Sequence, residues 1–243
     1  TILVDHNHQS QRVGDLLWHM DGFDDYAFIR QFLDGKSASF VSGDIGRLYW
    51  GKVKSLVRNV LFLKPRTVLM LDTAVPAGRD ADITLLYQTS RLGDIKAGSD
   101  VSTITKNGNT LYIHHLSPQT VEAKAEETPH YLYTLREKTP LEKEGMLTVT
   151  SRTNGGPLVM ANLLTTTTGA RPNVTAVTKK NCVIGSADGV QFVYSTNPGV
   201  IYSAGTFTTD AAVVTGAESD TFAALCTTFW RGSKLLMETD NPV

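Results

Sequence analysis

The sequence contains no run of about 18 consecutive apolar residues, so no segment is built to cross a bilayer as a helix. No stretch sustains a 3.6-residue apolar period, which argues against helical bundles and α/β enzymes with alternating helices. There is no internal repeat at a fixed period. Net charge is almost absent, −1 from 23 Lys and Arg against 24 Asp and Glu. Nucleic acid and anionic membrane surfaces are therefore not expected partners, and any anion must be held by a local basic patch. Cysteine is scarce: Cys182 and Cys226 are too few for a disulfide framework, whether or not they pair. The start lacks a charged leader and a cleavage site; Thr1-Ile-Leu-Val-Asp5 is strand-like at once, as in the interior of a longer chain.

What is present suits a large β protein. The apolar share of 41% and charged share of 19% over 243 residues are ordinary for a globular domain with a real core. The most apolar feature runs from Arg58 to Asp72: Asn59 to Lys64 and Thr67 to Asp72 read as strands folded across Pro65-Arg66. Pro65 presets a turn and cannot donate to a ladder, so it belongs at the corner. Val60-Leu-Phe-Leu63 and Val68-Leu-Met-Leu71 do not alternate with polar residues, which predicts a hairpin covered on both faces. Asn107-Gly108 is the strongest short hairpin signal, and Asp34-Gly35 a second corner. Residues 117–145, with three prolines and a charge-rich run from Arg136 to Glu144, read as a solvated surface excursion. After Thr165-Thr-Thr-Thr-Gly-Ala-Arg-Pro172 the predicted strands become short and turn signals frequent, suggesting one small antiparallel sheet. The expected fold is all-β: a large antiparallel β-sandwich over residues 1–168, then a smaller β domain over 169–243.

Three segments in order, Thr1-Ile-Leu-Val-Asp5 with Gln9, Gly43-Asp-Ile-Gly-Arg-Leu-Tyr49, and Arg58 through Pro65 to Asp72, resemble the β-sandwich of heparinase II/III-like polysaccharide lyases. The resemblance covers about residues 1–165 and rests on the concurrence of the segments. It implies an enzyme in two parts, an N-terminal α/α toroid and this sandwich, closing on an acidic polysaccharide in the bacterial periplasm or outside the cell. The implied reaction is β-elimination at a uronic acid: a base takes the proton α to a neutralised carboxylate, and an acid protonates the leaving oxygen. Thr1 matches the Thr of a His-Asn-Thr segment, so the family's catalytic His would precede Thr1, and the chain alone is expected to be inactive. Tyr49 matches a Tyr that projects into the cleft in some members and is the one catalytic candidate here.

Family members also hold a structural zinc through two His and an Asp, for which His8, His19 and Asp21 are candidates, although the position before Arg58 offers no ligand. Independently, His6-x-His8 places two imidazoles on one strand face, a spacing that suits zinc. No cofactor is required by the expected chemistry. His6, His8, Lys52 and Arg58 are candidate substrate contacts; Lys52, Lys54 and Arg58 would share a face if the strand alternates regularly. His114-His115 read as structural. No Gly-x-Ser-x-Gly elbow supports a Ser-His-Asp hydrolase. The rival function is a non-catalytic carbohydrate-binding or cell-surface module, using Trp18, Trp50 and Trp230 to stack on sugars.

Overall fold

In the computed structural model, residues 1–7, 27–34, 38–49, 51–133, 138–187, 189–197, 199–205, 207–215, 223–224, 228–231 and 234–238 are described. The first strands are β1 (Ile2–Val4), β2 (Phe28–Asp34), β3 (Ala38–Asp44), β4 (Val53–Leu63), β5 (Thr67–Pro76) and β6 (Asp82–Thr89). Then come β7 (Ile95–Lys96), β8 (Val101–Lys106), β9 (Asn109–Ser117), β10 (Glu122–Tyr133), β11 (Lys138–Arg152) and β12 (Leu158–Thr167). The chain continues through β13 (Val174–Thr178), β14 (Cys182–Ala187), β15 (Val190–Ser195), β16 (Tyr202–Ala204) and β17 (Phe207–Thr209). It closes with β18 (Val213–Thr215), β19 (Ala223–Ala224), β20 (Thr228–Arg231) and β21 (Lys234–Glu238). Only two short 3₁₀ turns, Gly46–Tyr49 and Leu92–Asp94, interrupt the strands among the described residues.

The Arg58–Asp72 hairpin forms as its sequence predicts. β4 and β5 pair from Leu63↔Thr67 at the exposed Pro65-Arg66 corner to Val53↔Pro76. Asn107 and Gly108 adopt φ of 52° and 76°, the left-handed pair that a tight hairpin corner needs, between β8 and β9. Among the described residues all pairing is antiparallel, in an eight-stranded sheet ordered β2-β3-β4-β5-β12-β9-β8-β7 and three smaller sheets. These are β1-β6-β11-β10, β13-β14-β15-β18-β19 and β16-β17-β20-β21.

Strand alternation stacks the sheets in four layers. Leu56, Ala74, Met160 and Ile113 leave one face of the eight-stranded sheet and meet Ile2, Ile83, Leu85, Leu147 and Val149 of the β1-β6-β11-β10 sheet. Leu61, Leu69, Leu71 and Leu163 leave the other face and meet Val183, Phe192, Tyr194 and Val213 of the five-stranded sheet. Cys182, Val193 and Val214 then pack the far side of that sheet onto Tyr202 and Phe207. Gly185 of β14 permits this stack locally, since a Cβ there would lie 2.3 Å from the Phe192 ring. The residues after Thr167 thus share a core cluster with the large sheet.

Three expectations change. The hairpin is covered on both faces only along part of its length. Near the corner Val60, Phe62, Val68 and Met70 are half-buried and stand outside the core shared with the first sheet. Residues 117–145 are not a loose excursion: β10 and β11 pair from Glu122↔Thr150 to Tyr133↔Lys138. An edge ribbon needs no apolar alternation on its exposed face, and cross-strand charge pairs such as Lys143–Glu127 at 2.9 Å suit it. The strands after Pro172 make two sheets, because β14 and β15 are buried on both faces and require a layer on each.

Leu69 is fully buried between the eight- and five-stranded sheets. Leu69→Ala is expected to cost about 2–5 kcal/mol, the cavity penalty of a deep core site, read from urea denaturation midpoints.

Candidate functional site

Arg58 and Asp72 are cross-strand partners on β4 and β5. On the face toward the β1-β6-β11-β10 sheet they form a bidentate pair, with Nε donating to Oδ1 at 2.7 Å and Nη2 to Oδ2 at 3.0 Å. The Asp72 side chain is 0% exposed and that of Arg58 25%. Burial opposes charge on Arg58, but the attraction and hydrogen bonds of Asp72 outweigh it and hold the guanidinium ionised with its pKa raised. The pair uses two of the five N–H donors, leaving others for a carboxylate or carbonyl at the open side.

Two phenols and the start of β1 complete the cluster. Tyr87 of β6 is half-buried, and its hydroxyl is sealed from solvent with no hydrogen-bond partner among the described residues. Its pKa is pushed upward by burial first and then by the Asp72 charge, with Arg58 opposing. Tyr49, 2% exposed, donates its hydroxyl to the Ile2 carbonyl at 2.9 Å. The Leu86 amide donates to the Thr1 carbonyl at 2.9 Å, which sets Thr1 beside Tyr87 in the sheet. Through its pairing with β6 and the Tyr49 bond, β1 lies in the sheet that carries Tyr87, whose phenol feels both charges of the ion pair. Asp5, at the other end of that strand, is a fastener: its carboxylate accepts from the Asp82 amide at 3.0 Å and from Arg79 at 3.1 Å.

The other candidates do not gather here. His6 is exposed, in a left-handed conformation, with its ring 4.0 Å from the Asp82 carboxylate. Lys52 is half-buried in the turn before β4, and a bulge between Val53 and Ser55 breaks the alternation that would align Lys52, Lys54 and Arg58. His8, His19 and Asp21, with Trp18, Trp50 and Cys226, lie outside the described residues. Among the described residues no three His, Cys, Asp or Glu side chains could hold a metal ion. The described residues thus offer no zinc site, and no step below passes through one. Tyr87 was not singled out by sequence; its period-two spacing from Ile83 and Leu85 marks it as inward-facing, but nothing in the pattern marks its hydroxyl as unpartnered.

A second polar chain lies in the same inter-sheet layer. Ser102 Oγ and His115 Nε2 are 3.0 Å apart, and His115 Nδ1 and Asn162 Oδ1 2.6 Å. It has the connectivity of a nucleophile–imidazole–amide relay. Ser102, however, is 0% exposed and its hydroxyl is also shared with the Gly98 backbone, so the chain is a strut. Neighbouring His114 is buried, its Nε2 has no partner among the described residues, and its pKa falls to about 4 through burial, then Arg171 and His115.

No protein-family model matches the chain, and no curated protein matches it. Solved structures do. A heparan sulfate lyase, HepC from Pedobacter heparinus, superposes with a TM-score of 0.54 at 15% identity, over 68% of this chain and 27% of its own. A heparinase III gives 0.55 at 10% identity, over 70% and 27%. At these identities the likeness establishes the fold, and the chain spans about a quarter of those structures' length.

Arg58→Ala should destabilise by about 3–5 kcal/mol because it strands the buried Asp72 carboxylate, whereas Arg58→Met with Asp72→Leu should lie close to wild type. Chemical denaturation of the two variants checks this. For His114 the folded pKa lies below the unfolded 6.5, so the unfolded state binds more protons between pH 6.5 and 4. Stability should be full above that window and fall as pH drops through it, and His114→Gln should flatten the decline in melting temperature.

Proposed function

We propose that this chain is the β-sandwich portion of a polysaccharide lyase acting on uronic-acid-containing polysaccharide by β-elimination, completed by a helical toroid outside this sequence. The observation that carries the reading is the superposition of this chain on a heparan sulfate lyase and a heparinase III over 68% and 70% of its length. On this reading residues 1–168 are the lyase-like sandwich and 169–243 a small appended β domain. The working location would be the periplasm or the cell exterior; among the described residues no helix is long and apolar enough to span a membrane.

The geometry supports a division of labour. A base on the residue ahead of Thr1 would be aimed by the β1–β6 pairing, by the Tyr49 bond to Ile2 and by the Arg58–Asp72 pair. Arg58, ionised and partly exposed, would supply positive charge toward the substrate carboxylate, lowering the pKa of its α proton. Tyr49 would act by positioning, since its hydroxyl is occupied and its ring buried. The half-buried Val41, Val60, Phe62, Val68 and Met70, together with Ile29 at 71% and Phe32 at 69% exposure, would pack against the toroid.

The test is ultraviolet detection of an unsaturated uronate product with heparan sulfate, heparin and alginate. The chain extended to include its toroid should produce it and residues 1–243 alone should not. Elimination by residues 1–243 alone would overturn the placement of the chemistry. Silence of the extended protein on all three polymers would favour a binding module.

A further inference from the structure

The face of the eight-stranded sheet that points away from Arg58 and Asp72 is only partly filled by the apolar cluster under the five-stranded sheet. Beyond Leu71 it opens into a cleft of about 350 Å³, within the range of about 300–1,000 Å³ usual for small-molecule sites. Its floor is ordered by strand register. Gln31, Ser42, Asn59 and Leu71 form one cross-strand row, and Val57, Thr73 and Val159 the next. Ser195, Asp210 and Ala212 close it from the other side, and Arg30 stands exposed at the rim.

The polar floor groups have no structural task. Asn59 is 7% exposed and Ser42 4%. Among the described residues, the side chains of Gln31, Ser42, Ser55, Asn59 and Thr73 make no hydrogen bond. None of their polar atoms is sealed without a partner, so they face the open space of the cleft. Buried polar groups ordinarily find partners inside the protein; the buried Ser42 and Asn59, with the half-buried Gln31, Ser55 and Thr73 around them, meet only the cleft and are arranged for something that enters it.

We propose that this cleft binds a saccharide ring through its hydroxyl groups, as a site separate from the Arg58 cluster and independent of the lyase reading. Neighbouring floor groups stand about 4.8 Å apart across strands and about 6.7 Å along them, spacings that suit substituents around a sugar ring. Amides and hydroxyls both donate and accept, as sugar hydroxyls require, and Val57, Val75 and Val159 offer apolar contact to ring C–H groups. A polyanion is a poor fit because Arg30 is the only cation among the described residues lining the cleft, and Asp210 shares it.

Calorimetric titration of the 243-residue chain with methyl β-glucoside, methyl β-glucuronide and sodium sulfate tests the site. Saturable binding of at least one glycoside, weakened about tenfold by Asn59→Leu and by Gln31→Leu in proteins that melt like wild type, is the expected result. Should Asn59→Leu fail to fold, Ser55→Val at the half-buried mouth replaces it. No saturable glycoside binding overturns the proposal. So does binding that survives both variants, or a sulfate response that matches the glycosides and vanishes in Arg30→Ala.

Discussion

The bidentate contact between Arg58 and Asp72 is the interaction on which the candidate site of this fold turns. A carboxylate with no exposure cannot remain charged in an inter-sheet layer without a cation held against it, and the two N–H···O contacts provide that. Because the partners face each other across β4 and β5, the pair also resists slippage of the central hairpin. Apolar packing alone would tolerate small shifts there; a two-point ionic contact does not. The Tyr87 phenol and the start of β1 belong to the facing sheet, and the pair meets the phenol across the inter-sheet layer.

The eight-stranded sheet is used differently on its two faces. Toward the β1-β6-β11-β10 sheet it carries the ion pair and, on β8, β9 and β12, the Ser102–His115–Asn162 strut, with an apolar area left half-covered on β3, β4 and β5. Toward the five-stranded sheet it carries a continuous apolar core that gives way to a polar cleft. Sequence alternation alone divides the two, since Arg58 and Asn59 are neighbours on one strand and point to opposite layers. A one-residue slip would exchange the two environments and bury the ion pair in the wrong layer.

Much of this was legible in the sequence, and where it was not the reason is physical. The hairpin corner at Pro65, the turn at Asn107-Gly108 and the all-β class follow from local chemistry that no tertiary contact overrides. The quoted order of Thr1–Asp5, Tyr49 and Arg58–Asp72 pointed to a fold that the superpositions bear out, although 15% and 10% identity leave the chemistry undetermined. The β10–β11 ribbon was missed because an edge ribbon can be as charged as a loop. The cleft under Asn59 was invisible because it joins β2, β3, β4, β5 and β12 to Ser195, Gly199, Asp210 and Ala212, a juxtaposition that register creates and no motif records.

The central claim is that the ion pair holds the start of the opening strand in place. Amide hydrogen exchange in the Arg58→Met/Asp72→Leu double variant tests it most directly, because the apolar pair removes the constraint without leaving a buried charge. Protection of the Leu86 amide, which donates to the Thr1 carbonyl, should fall about tenfold or more, while amides of β12 in the same protein stay protected. Unchanged protection at Leu86 would contradict the account and leave β1 held by its pairing with β6, the Tyr49 bond and apolar packing, without the ion pair.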